Sequence, residues 1–409
     1  MLFRLECKKI VFSIPFIIYC ILCVIFTGSQ YFPDAESRIY TEETDYKISG
    51  DHDLIMEGAV NSLLSEYTSN NYVCYPFGFY KAVHLKESKQ EKITEYLKEM
   101  TGTNDTGLAE IQDGGEKEYY GMSDIPEYRF STVTMADNFS YDRFLEIMTD
   151  VDDMLGGGSN YDPESLAAIF SRVEMTKEEA AAEYRSFIEE DKVTGGLARY
   201  FSDYAGIDLA LLPVFVAAAL TAADRKRRMQ ELVYTRNISS FRLVFTRYTA
   251  LVFTMFVPVV IEMLAALIQA ASIYSDETIS YSAMFTIPTI WLLPILMFTT
   301  ALGMLITEIF SSPAAVFVQI AVWFKAVMSG SFMLYGQISK FGLVCRHNTE
   351  MHRSEFMMNY DNFIFSRVFW TVMSLIAVII TVFVYNAKRG GNFNGIKLFG
   401  EGGILRRKA

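Results

Sequence analysis

Six long runs of apolar residues constrain this chain more than any other feature of its sequence. About 20 such residues cross the roughly 30 Å hydrocarbon core of a bilayer, and inside that core only helices or closed barrels satisfy the backbone hydrogen bonds. The runs therefore predict an all-α polytopic membrane protein with six transmembrane helices. Their bounds are 10–29, 206–223, 248–272, 284–306, 313–335 and 367–386.

The run at 10–29 has a second interpretation, a cleaved signal peptide, because Arg4, Lys8 and Lys9 precede it as a charged n-region would. The run is longer than the apolar core of a usual signal peptide. No A-x-A-like cleavage site follows it. These two observations favour a membrane anchor.

The charge of the chain is unevenly distributed. Although 51% of residues are hydrophobic, the net charge is -12. Residues 31–205 contain 36 Asp and Glu against 15 Lys and Arg, whereas the rest of the chain contains 12 and 21. Lys and Arg are retained on the cytoplasmic side of membranes, and they cluster in three segments that six crossings place on one side. Those segments are the N-terminus 1–9, the loop 224–247 and the tail 387–409.

This charge pattern predicts a multi-pass protein of the cell membrane with both termini in the cytoplasm. A large extracytoplasmic domain, 30–205, then follows the first helix, and a smaller outer loop, 336–366, precedes the last. The remaining connections are an outer loop at 273–283 and an inner loop at 307–312.

The outer domain is predicted to be mainly helical and to have a core of its own. Ser88 with Glu91, and Thr176 with Glu179, match the capping box that opens helices.

No metal site is predicted, because His347 and His352 have no companion at ligand spacing. Of the five cysteines, Cys74 and Cys345 are the two outside the first span and its flank. A single bridge between them is left open.

The basic loop between the second and third runs carries more than charge. In "DRKRRMQELVYTRNISS" at 224–240, Met229, Leu232 and Val233 recur at i, i+3 and i+4. This spacing predicts a short amphipathic helix with an apolar face beside charged residues. Such a helix is suited to contact with a cytosolic partner.

The same loop resembles the cytoplasmic coupling region of type 2 ABC exporter permeases, whose pattern is roughly E-R-x-x-G-T-x-E-x-L followed by P-V-S. The acid–Arg pair is matched by Asp224 and Arg225, the E-x-L element loosely by Glu231 and Leu232, and the final pair by Ile238 and Ser239. The sequence departs from the pattern at Arg228 and Met229, where the family has Gly-Thr, and at Asn237, where it has Pro. The order of spans and loops is similar to that family along nearly the whole chain.

This resemblance implies a permease subunit that is driven by a separate ABC ATP-binding subunit and pairs with a second permease copy, as a homo- or heterodimer. ATP and Mg²⁺ would bind the partner, because this chain has no G-x-x-x-x-G-K-[ST] loop and so is not expected to be an enzyme or to hold a cofactor. The residues expected to contact the ATPase are Asp224, Arg225, Arg228, Glu231, Leu232, Ile238 and Ser239.

Glu262 and Lys325 lie deep inside predicted spans, where a charged residue costs about 2.5–3.5 kcal/mol. Glu262 and Lys325 reach similar depth, so an ion pair between them is predicted. The alternative is that one of them lines a transport path or binds a polar substrate.

The sequence as a whole favours export of a hydrophobic or amphipathic substrate such as a peptide, lipid or drug-like molecule. The alternative is a membrane-anchored sensor or assembly scaffold whose outer domain binds a ligand or partner. No nucleic-acid partner is expected.

Overall fold

The computed structural model describes residues 2–33, 46–75, 80–114, 116–118, 127–129, 133–163, 165–226, 228–310, 314–328, 338–393 and 396. These form two compact units, one of residues 1–42 with 181–409 and one of residues 43–180. The second unit is shorter at both ends than the 30–205 domain of the sequence analysis. Both units are mainly helical.

The first apolar run forms two helices, α1 (Leu2–Val11) and α2 (Ile14–Gln30), which meet at a 64° bend. Ser13 caps α2 by accepting a hydrogen bond from the Phe16 amide at 3.3 Å. Pro15 follows in the first turn, where its missing N–H costs nothing. The predicted single span is therefore a bent pair, whose amphipathic first part begins before the apolar run.

The unit of residues 43–180 contains six helices and six short strands in its described part. The helices are α3 (His52–Ser69), α4 (Glu87–Thr101), α5 (Asp105–Asp113), α6 (Tyr141–Leu155), α7 (Leu166–Phe170) and α8 (Lys177–Glu189), the last of which crosses the unit boundary. The strands are β1 (Tyr46–Ile48), β2 (Tyr72–Cys74), β3 (Lys81–Val83), β4 (Glu116–Glu118), β5 (Glu127–Arg129) and β6 (Arg172–Glu174), paired antiparallel as β1–β6, β2–β3 and β4–β5.

The core of this unit is built by helix faces with the spacing that amphipathic helices require. This core includes the fully buried side chains of Leu63 from α3, Leu97 from α4 and Phe144 from α6. The Thr176–Glu179 capping box is confirmed, since each side chain accepts a hydrogen bond from the backbone amide of the other, at 3.0 and 3.3 Å. The predicted Ser88 cap is wrong, because α4 begins one residue earlier, at Glu87.

The second apolar run is part of a longer helical segment. It comprises α9 (Thr194–Leu209), α10 (Pro213–Thr221) and α11 (Ala223–Lys226), and residues 194–225 together qualify as one candidate span. The break between α9 and α10 falls just before Pro213, which cannot donate the helical hydrogen bond. The segment begins 12 residues before the predicted 206–223 span.

The remaining helices are α12 (Gln230–Tyr234), α13 (Ser240–Ile273), α14 (Ala283–Phe310), α15 (Ala314–Met328), α16 (Arg353–Met358) and α17 (Tyr360–Arg389). Within the described ranges, four helical segments are long and apolar enough to span a membrane, or five with the bent pair α1–α2. The predicted span at 313–335 contains α15, whose 15 described residues are fewer than the roughly 20 that cross a bilayer. A multi-pass helical membrane protein is thus supported, whereas a sixth span is not confirmed.

Helix α14 is the centre of the membrane unit, because α9, α10, α13, α15 and α17 all pack against it. Gly303 allows α10 to approach α14 closely, since a Cβ at this position would lie 3.0 Å from the Ala217 Cβ. Fully buried Trp291 fills the other end of α14 and stacks on Phe356. This packing holds the ends of the helices at fixed positions relative to one another.

Segment 338–352, inside the predicted 336–366 loop, is held by buried charged side chains. Asp203 of α9 accepts hydrogen bonds from the His347 and Asn348 amides at 2.9 and 2.7 Å. Arg367 of α17 donates to the Gly342 and Leu343 carbonyls, each at 2.9 Å. These charges are therefore satisfied by backbone groups, as buried charges must be.

Candidate functional site

The segment between the second and third apolar runs forms two short helices joined by a sharp turn. Helix α11 ends at Lys226, and the Arg228 and Met229 amides fold back onto the Arg225 and Asp224 carbonyls at 3.0 and 2.9 Å. Arg228 has a left-handed backbone with φ of 56°. Glycine adopts this conformation most easily, and the exporter pattern has its Gly at this position. Arg228, where this sequence departs from the family pattern, thus lies in the turn itself.

Helix α12 has two faces with different surroundings. Glu231 and Leu232 point into solvent, and Leu232 is 65% exposed. Val233 and Tyr234 instead pack against the hydrophobic core of the unit that contains the membrane helices. The Tyr234 ring contacts Tyr385 of α17 edge-on, with 5.5 Å between the ring centres. The five-residue helix is thus anchored by one face and displays the other.

The prediction that Met229, Leu232 and Val233 share one apolar face is therefore wrong for Val233. Met229 and Leu232 are exposed at 44% and 65%, but Val233 turns inward. The helix is too short for the three to share one face, because Met229 lies outside it, at the N-cap position. The displayed surface consists of Met229, Leu232 and Glu231, with exposed Arg228 beside them.

The first half of the segment is linked to α1 and α13 by charged side chains. Asp224 forms an ion pair with Arg247, and Arg247 lies 3.7 Å from Glu6 of α1, which in turn pairs with Lys9 at 3.1 Å. These groups line a cavity of about 280 Å³. Asp224 thus joins the start of the displayed surface to two neighbouring helices.

The second half is linked to the end of α17. Arg389 donates hydrogen bonds to the Ile238 carbonyl at 2.5 Å and the Arg236 carbonyl at 2.8 Å. Ser239 caps α13 by accepting from the Arg242 amide at 3.2 Å, and Ser240 donates to Asn386 at 2.9 Å. The second half of the segment is thus bonded to both α13 and α17.

A buried ion pair beneath this segment was not predicted from the sequence. Lys388 of α17 lies 3.0 Å from Glu308 of α14, and their side chains are only 4% and 10% exposed. The sequence signal was available, since both residues lie at span ends assigned to the same side of the membrane. Only the packing of α14 on α17 shows that they meet.

The Glu262–Lys325 ion pair is not formed among the described residues. Glu262 is buried and accepts a hydrogen bond from Thr27 of α2 at 3.2 Å, whereas Lys325 is exposed on α15. Helix α13, which carries Glu262, and helix α15 both pack on α14, but over their described residues they make no extensive contact with each other. Similar depth along two spans does not make the spans neighbours.

Glu262 also has a second buried acid near it, Asp208 of α9. The pair lies where α2, α9 and α13 pack together. The sequence analysis did not single out Asp208 as a buried acid near Glu262, because Asp208 lies at the edge of the predicted 206–223 span.

Comparison with known families agrees with this architecture. The family described as ABC-2 family transporter protein matches residues 10–343. No curated protein and no solved structure matches the chain. The family resemblance found in the sequence is confirmed by this match, which covers most of the chain. The chain therefore belongs to the ABC-2 family transporter proteins and is a permease of an ABC transporter, a type of protein that works with an ATP-binding subunit.

Proposed function

We propose that residues 224–239 receive the force of ATP hydrolysis and that this permease exports a hydrophobic or amphipathic substrate. The observation that best supports this proposal is the exposed surface of Glu231 and Leu232. They lie on a helix whose opposite face packs against the protein's hydrophobic core. An apolar residue surrounded by polar groups fits the apolar centre and polar rim of a protein interface.

The links on both sides of α12 supply the mechanical part of the proposal. Asp224 connects to α1 and α13 through Arg247, and Arg389 connects the Ile238 backbone to α17. Movement of a docked ATPase would thus tilt several spans at once. Peptides, lipids and drug-like molecules are the proposed substrate classes, because the spans that would line a path are strongly apolar.

The coupling experiment uses tagged full-length protein purified from native membranes, with the ATPase activity of the recovered complex as the readout. Leu232→Asp should remove most of the ATPase subunit from the complex or uncouple its turnover, and Glu231→Arg should do the same. Leu54→Asp is the matched control, because Leu54 is also exposed, at 39%, but lies on α3. An intact complex with unchanged turnover in Leu232→Asp would show that α12 is not the coupling site.

We further propose that both termini and residues 224–247 face the cytoplasm and that the domain between the first two spans faces outward. The distribution of Lys and Arg supports this orientation. In a cysteine-free background, Asp105→Cys should react with a membrane-impermeant maleimide on intact cells. Arg228→Cys should react only after permeabilisation. The reverse pattern would invert the topology.

A second permease copy is part of the proposal, since the family resemblance implies paired permease and ATPase chains. Mass photometry of the purified complex tests it. A mass that contains a single permease chain would contradict the dimer without affecting the coupling site.

A further inference from the structure

Three side chains with metal-binding atoms converge beside the start of α16. They are Glu183 of α8, His352, which is the N-cap residue of α16, and Glu355 in its first turn. One ring nitrogen and one oxygen from each carboxylate all lie within 4.8 Å of one another. Zinc bonds of about 2.0–2.2 Å place tetrahedral ligand atoms about 3.5 Å apart, so a small rotation of these side chains would bring all three into contact with one ion.

The surroundings hold these groups in place. His352 is completely buried, and its backbone amide donates to the Glu183 carboxylate at 3.1 Å. The Ser354 hydroxyl donates to the Glu355 carboxylate at 2.7 Å. Each carboxylate is thus positioned by a neighbour, which resembles the outer-shell support found around metal ligands.

The charge balance also favours a divalent cation. Two carboxylates beside one imidazole leave an excess of negative charge, even when the imidazole is protonated. A dication bound by neutral His352 and two carboxylates would make the cluster neutral.

The donor set selects among the common cations. Ca²⁺ and Mg²⁺ prefer sites made entirely of oxygen, whereas imidazole nitrogen with carboxylate oxygen suits zinc. Three protein ligands leave a fourth position for water or another ligand. We propose that Glu183, His352 and Glu355 form a Zn²⁺ site that joins α8 to α16.

The sequence analysis predicted no metal site because it identified no companion for His347 and His352 at ligand spacing. The missing ligand, Glu183, lies 169 residues before His352. Glu355 is only three residues away, a spacing that places it on the same helical turn. His347 lies outside the cluster, and its ring contacts the Met351 carbonyl at 3.0 Å.

The test uses full-length protein in detergent, purified with a tag free of histidine and stripped with EDTA. After incubation with ZnCl₂ and gel filtration, elemental analysis should find about one zinc per chain, and zinc should raise the melting temperature. Co²⁺ should bind in its place and give the visible absorption of a low-coordinate site.

His352→Ala and Glu183→Gln should each weaken zinc binding at least tenfold. Glu355→Gln is a conservative third variant that tests the site with little change in shape. His84→Ala is the control, since His84 is an exposed histidine on a different part of the chain. Absence of zinc from the wild-type chain, or retention of full binding by all three cluster variants, would overturn the proposal.

A simple ion pair between protonated His352 and Glu355, 3.7 Å apart, is the competing explanation of the cluster. It predicts no zinc binding and no response of the melting temperature to EDTA. Either result therefore decides between a metal site and an ion pair.

Discussion

Replacing Lys388 tests how much its buried ion pair with Glu308 stabilises the protein. Its ammonium group lies 3.0 Å from the Glu308 carboxylate, and it also donates to the Glu308 carbonyl. At an effective dielectric constant of about 20, two unit charges at this distance attract by about 5 kcal/mol. Desolvation offsets part of this attraction, so removing one partner matters more than removing both.

Lys388→Met should lower the free energy of unfolding by about 3–5 kcal/mol, because it leaves the Glu308 carboxylate buried without its counter-charge. The double variant Lys388→Met with Glu308→Gln should recover about 2 kcal/mol or more of this loss. The assay is reversible unfolding in mixed SDS micelles, with a double-mutant cycle over the four proteins.

The matched control is Lys9→Met. Lys9 forms an ion pair of almost the same length, 3.1 Å, with Glu6, but its side chain is 53% exposed. Exposed pairs contribute under about 1 kcal/mol, so this variant should be nearly neutral. If Lys388→Met is as mild as Lys9→Met, or if the two substitutions in the cycle are additive, burial is not the source of the stability.

Three further predictions follow from single features of the structure. Arg228→Gly should raise the free energy of unfolding by up to about 1 kcal/mol, because glycine adopts the left-handed turn without strain; Arg228→Ala should not, and equal effects would contradict the reasoning. Glu262→Gln and Lys325→Met should be additive within about 0.5 kcal/mol in the same assay, since the two residues form no ion pair; a larger coupling would restore the pair. Cys74 and Cys345 are free thiols, and burial raises the pKa of each. A maleimide at neutral pH should therefore label them at least about tenfold more slowly in the folded than in the denatured chain. Mass spectrometry without reductant should find no disulfide between them.

The membrane helices could be recognised from the sequence because hydropathy is a local property. Each apolar run indicates a membrane helix without any knowledge of the helices that pack beside it. The basic loop at 224–247 can likewise be recognised from its own residues. The same is true of the motif around Glu231 and Leu232, whose residue types and spacing are enough to indicate the family. Helix ends were less certain, as the early start of α9 at Thr194 shows.

The partners of buried charges depended on the tertiary structure. Glu262 lies against Thr27 and not Lys325, because α13 packs on α2 and α9. Arg199 and Asp203, which sequence analysis placed outside the membrane, are buried in the protein and bind its backbone.

The sequence by itself determined the protein's class, its apolar helices and the basic segment 224–239, since each of these depends on residues that are close together in the chain. Only the tertiary structure decided which helix faces meet. It turned Val233 inward and left Leu232 exposed, paired Lys388 with Glu308, and brought Glu183 to His352. Contacts between distant residues depend on the lateral order and rotation of helices, and a linear pattern of apolar residues specifies neither.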